Sequence, residues 1–71
     1  MRAFEMYEVL FEIMGELEAH ETILEALTRN GQNETANRYI RGAIGGIRNA
    51  LAYLSDAEFE ITTDATEYED L

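Results

Sequence analysis

Two heptad ladders that mirror one another constrain this chain more than any other feature of it. Met6, Leu10, Ile13, Leu17, His20, Leu24 and Leu27 recur at steps of four and three, and so do Ala36, Ile40, Ala43, Ile47, Ala50, Leu54 and Ala57. Read in opposite directions, the ladders pair Leu27 with Ala36, Leu24 with Ile40, His20 with Ala43 and Leu17 with Ile47. Ile13 then pairs with Ala50, Leu10 with Leu54 and Met6 with Ala57, and every pair of position numbers sums to 63 or 64. Steps of four and three lay one stripe along an α-helix, and a constant sum matches two such stripes folded back antiparallel. The sequence therefore predicts an all-α antiparallel helical hairpin.

Boundary signals divide the chain into a hairpin over residues 1–55 and an acidic tail over 56–71. The first helix is expected from about residue 3 to 28, ending at Arg29-Asn30-Gly31, where arginine suits the negative end of the helix dipole and glycine a left-handed cap. A turn over residues 29–33 follows, with Asn33 as the cap of a second helix over 34–55 and Glu34 in its first turn. In the tail, Phe59, Ile61 and Thr63 alternate with polar residues, so this part is expected to be partly extended or disordered. Ser55 to Glu58 and Asp64 to Glu67 each have capping-box spacing, which allows one further helical turn.

A chain of 71 residues buries a small core and usually needs a staple or a partner. With no cysteine and a single histidine, disulfides and the usual metal staples are lacking, which leaves self-association. Phe4, Tyr7, Phe11 and Met14 form a second apolar stripe, rotated from the first, and Tyr39, Ile44, Leu51 and Tyr53 lie outside the second ladder. The expectation is a homodimer or higher homo-oligomer, a four-helix arrangement with Phe4, Tyr7, Phe11 and Met14 at its interface. Gly42, Gly45 and Gly46 fall within the second helix, where each costs about 1 kcal/mol relative to alanine, so close approach by another backbone or a ligand is expected there. The longest apolar run is Val9-Leu10-Phe11 and the N-terminus has no signal pattern, so a cytoplasmic protein without a membrane span is expected.

Charge is segregated along the chain. The first helix carries seven glutamates against Arg29, the second opens with Glu34 against Arg38, Arg41 and Arg48, and from Ser55 onward there are seven acids and no base. The hairpin register sets Arg38 level with Glu25, Arg41 with Glu21 and Arg48 with Glu16, an arrangement that would help to orient the helices. Glu5, Glu8, Glu12 and Glu18 have no such partner, and Glu8 and Glu12 repel at one turn's spacing.

Few residues here could carry chemistry. His20 stands one turn after Glu16, but a di-iron bundle needs a glutamate three residues before the histidine, where Leu17 stands. The glycines fit no phosphate-binding loop, and Ser55, the only serine, has no histidine near it in sequence. No enzyme activity, cofactor or metal is expected. A net charge of −10 disfavours direct nucleic-acid binding.

The leading functional expectation is a small acidic helical protein that binds and inhibits or regulates a host protein through a basic surface of that partner. Its partner-binding face would be Glu5, Glu8, Glu12, Asp56, Glu58 and Glu60. Glu5, Glu8, Glu12 and Glu16 rise at about 5–6 Å per step, close to the spacing of a phosphate ladder, so mimicry of nucleic acid is one form of this reading. In size, acidity and lack of catalytic residues the chain resembles, as a type, the small inhibitors of phages and mobile elements, anti-CRISPR and anti-restriction proteins among them. That likeness rests on composition and on no motif, so it carries over no functional residues. The alternative is an oligomeric binder of a phosphate or nucleotide using Arg38, Tyr39 and Arg41. A purely structural oligomerisation module is the third.

Overall fold

The computed structural model describes residues 2–69, with side chains described through residue 63. The chain is a hairpin of two α-helices, α1 (Ala3–Asn30) and α2 (Glu34–Glu69), forming a rod of 57 × 16 × 15 Å. Helix α1 ends where expected. Its continuation differs from expectation at Gly31, which is extended (φ −76°, ψ 140°) rather than left-handed, while its N–H still donates to the Leu27 carbonyl at 2.7 Å. Glycine is required here for space. A Cβ at Gly31 would lie 2.8 Å from the Leu27 carbonyl oxygen and 2.9 Å from Asn37 Oδ1.

The turn sets the register. Asn33 Oδ1 accepts the Ala36 N–H at 3.0 Å, the expected cap, so α2 begins directly after three non-helical residues. Extended backbone at Gly31 carries the chain past the end of α1, and the first turn of α2 overhangs it. Asn37, only 4 % exposed, closes the overhang by donating from Nδ2 to the Gly31 carbonyl at 3.0 Å. The position numbers of partners across the hairpin accordingly sum to 68 for Gly31 with Asn37 and 69 for Glu21 with Arg48. The expected sums of 63 and 64 are therefore corrected by at least four residues, or about 6 Å along the axis at 1.5 Å per residue. Leu17 is not level with Ile47, nor Ile13 with Ala50.

The seam is also rotated. On α1 the residues turned inward are Ala3, Tyr7, Leu10, Met14, Leu17, Glu21, Leu24 and Thr28, an unbroken alternation of four and three. On α2 they are Asn37, Ile40, Ile44, Ile47, Leu51, Leu54, Glu58 and Ile61, joined by Ala50 and Ala57. Tyr7 and Met14 thus enter the hairpin's own seam, while Met6, Ile13, His20 and Leu27 turn outward. Burial is slight: Ile44, at 6 % exposed, is the one buried hydrophobic residue among those described. Gly42, Gly45 and Gly46 do not mediate close packing of the two helices, since a Cβ at any of them meets nothing within 4 Å.

The second helix does not stop near residue 55. It runs on to Glu69, so the expectation of an extended or disordered segment from residue 56 is corrected through that point, and Asp70 and Leu71 lie outside the described residues. No proline or glycine follows Gly46 to interrupt it. The Thr62 and Thr63 hydroxyls donate to the Glu58 and Phe59 carbonyls one turn back, so their polar groups are satisfied within the helix. Ile61 continues the inward series, whereas Phe59 and Thr63 point outward; the apparent alternation came from three residues on different helix faces.

Gly31→Ala should lower stability by about 1–3 kcal/mol, because the added methyl meets backbone and the Asn37 amide that fixes the register. Ile44→Ala should cost about 2 kcal/mol or more. Thermal unfolding followed by circular dichroism measures both, and an unchanged midpoint for Gly31→Ala would show that the turn does not fix the register.

Candidate acidic interaction site

Every ion pair among the described residues involves Arg48. Its Nε lies 3.3 Å from Glu21 Oε1, and its Nη2 donates to Glu25 Oε1. The expected ladder of Arg38 with Glu25, Arg41 with Glu21 and Arg48 with Glu16 is thus corrected: the register shift brings one arginine between two glutamates a turn apart. Arg38 and Arg41 form no ion pair among the described residues. Arg41 lines an open cleft of about 310 Å³ with Glu25, Thr28, Ile44 and Arg48. Arg38 and Tyr39 do not line it, and Tyr39 is 79 % exposed, so the three residues of the alternative ligand site are not gathered at one cleft.

The acids are arranged differently. Glu5, Glu8, Glu12 and Glu16 are exposed on α1, whose spacing turns them away from α2, and none is ion-paired. Asp56 and Glu60 are likewise exposed on α2. Because α1 starts where α2 finishes, these acids share the open end of the rod. Arg29, Arg38, Arg41 and Arg48 share the turn end.

One acidic site draws on both helices. Glu18 of α1 and Glu58 of α2 line a cleft of about 210 Å³ together with Phe11, Met14 and Gly15. Glu18 is exposed, Glu58 is half-buried, and neither is ion-paired. The remaining walls are apolar: the Met14 side chain at the seam, the Gly15 backbone with open space above it, and the ring of Phe11, itself stacked on Tyr7 with centroids 6.5 Å apart. Phe4 and Phe11, two of the four residues expected at a dimer interface, stay exposed at 64 % and 65 %. Sequence reasoning did not find Glu18 as a site residue, and it assigned Phe11 to an apolar interface. The signal was there in the heptad: positions 11 and 18 follow the inward residues Leu10 and Leu17 directly, on the flank that faces α2.

Among the described residues, no group of three or more His, Cys, Asp or Glu could hold a metal ion, and no helix is long and apolar enough to cross a membrane. No protein-family model matches this chain, and no curated protein or solved structure matches it.

Arg48→Ala should cost under about 1 kcal/mol despite its two partners, because the guanidinium is largely exposed. Urea unfolding at low and high salt tests this; a loss of several kcal/mol would show that the pair of contacts, rather than apolar burial, holds the hairpin closed.

Proposed function

We propose that this chain is a self-associating acidic interaction protein of the cytoplasm, which docks its open end on a basic surface of a protein partner and so inhibits or regulates it. The observation that carries this reading is the cleft of Glu18 and Glu58 between Phe11, Met14 and Gly15. Two carboxylates from different helices stand without a cation beside an exposed aromatic ring. A guanidinium from a partner fits each part of it, donating to the two carboxylates and stacking on Phe11. Glu5, Glu8, Glu12, Asp56 and Glu60, exposed elsewhere on the same end of the rod, add uncompensated charge there, which repels itself in isolation and is relieved as a cationic surface approaches. A partner that uses its basic surface to grip nucleic acid would be blocked in the process. The likeness in type to phage and mobile-element inhibitors is consistent with that outcome.

The second reading, a phosphate or nucleotide held by Arg41, draws support from the absence of an ion pair at that arginine. Arg48 beside it already has two glutamates, which lowers the positive potential of the cleft.

An arginine-rich peptide serves as a probe of the first reading. Binding should weaken steeply as salt rises, since the Debye length is only about 8 Å at physiological ionic strength. The Glu5, Glu8 and Glu12→Gln variant should slow association, and Glu18→Gln with Glu58→Gln should speed dissociation by about tenfold, the pattern of remote against contacting charges. If neither set alters peptide binding while Arg41→Ala abolishes binding of a nucleotide, the phosphate reading takes its place.

A further inference from the structure

We infer that a second copy of this chain covers the face opposite the ion pairs and completes a four-helix bundle there; this rests on the self-association proposed above and names the surface that carries it. The seam divides each helix into two flanks. The Glu25 and Arg48 pair, Arg41, and the cleft of Phe11, Glu18 and Glu58 all lie on one side of it. The other side is formed by the residues just before every second inward one. On α1 these are Met6, Ile13, His20 and Leu27, all exposed. On α2 they are Ala36 and Ala43, exposed, and Ala50 and Ala57, half-buried. Both rows repeat at intervals of seven, so they run side by side along the rod. They are the rows of the mirrored ladders that lie outside the seam or, at Ala50 and Ala57, along its edge.

Area, charge and shape each select a second copy as the occupant. The chain exposes 5704 Å², whereas a compact monomer of 8.1 kDa exposes about 4,500 Å². The excess, about 1,200 Å² per chain, is the amount that a stable homodimer interface removes. Neither row contains a carboxylate or a guanidinium, so a charged partner finds nothing to pair with and dehydration of the face costs little. One row is large and the other is alanine. A half-turn about the long axis lays the large row of each copy along the alanine row of the other, which gives the two identical contacts a two-fold interface requires. Gly46, next to the alanine row, has open space where a Cβ would stand, so the incoming helix can approach closely. In that arrangement both acidic open ends point the same way. Self-association should therefore tighten as salt rises, opposite in sign to the binding of a basic partner.

Sedimentation equilibrium with circular dichroism on the full chain tests the proposal. The wild-type chain should be a dimer at micromolar concentration. Ala43→Glu, at an exposed alanine of the face, should weaken it at least a hundredfold, while Ala52→Glu, exposed on the same helix but off the face, should leave it within about twofold. His20→Leu should tighten the dimer about tenfold with helicity retained, a gain that misfolding cannot mimic. A helical monomer at hundreds of micromolar would overturn this proposal together with the self-association above. A dimer that ignores Ala43→Glu and His20→Leu, or that weakens with salt, would overturn the face assigned here and leave the acidic site standing.

Discussion

One hydrogen bond, from the Asn37 amide to the Gly31 carbonyl, decides how the two helices meet. It joins a polar side chain buried at the turn to a backbone oxygen that the end of α1 cannot satisfy itself. With the bond in place, the first turn of α2 stands beyond α1 and the helices slide past each other by about a turn relative to a symmetric fold-back. Everything further down the rod inherits that offset: which carboxylates Arg48 reaches, which residues enclose Glu58, and how far α2 must run to cover the start of α1. Its 36 residues, against 28 in α1, are what an overhanging helix needs.

The thin seam is the second consequence. Two helices share one line of contact, so most inward side chains are only half-buried. Hydrophobic stabilisation scales with area removed from water, and a hairpin of this kind removes little of it. The surplus apolar surface is not scattered. It is sorted by the heptad into one flank that mixes carboxylates, arginines and aromatic rings, and another built from Met6, Ile13, Leu27 and alanine around a single histidine, His20. That separation would let one small chain hold the proposed charged recognition surface and the proposed apolar assembly surface without either intruding on the other.

The first helix, the start of the second, the short turn and the Asn33 cap were legible in the sequence, because each depends on local spacing and turn chemistry. The register was not. Each ladder is a pair of seven-residue rows, Leu10-Leu17-Leu24 beside Met6-Ile13-His20-Leu27 in the first, and periodicity alone cannot say which row faces inward. Tyr7 and Met14 decided it by joining the leucines, a tertiary choice that shifts the seam by part of a turn. The same ambiguity hid Glu18, whose importance appears only when Glu58 is brought across from α2. Gly31 was recognised as a terminator for its conformational freedom, yet its role is to leave room for Asn37. Phe59, Ile61 and Thr63 suggested a strand because three residues are too few to distinguish the two periods.

The uneven placement of charge on a rod 57 Å long gives the molecule a large electric dipole moment. Its negative pole is the open end, while at the turn end Arg29, Arg38, Arg41 and Arg48 offset Glu21, Glu25 and Glu34. Such a body does not tumble indifferently near a charged surface. Near a basic surface it would experience a torque that swings the open end forward before any contact forms, so the proposed partner would meet the molecule end-on in most encounters. In the proposed dimer the two moments would add, and the assembly would present a single oriented tip, so that the field itself would shorten the orientational search that limits most protein associations.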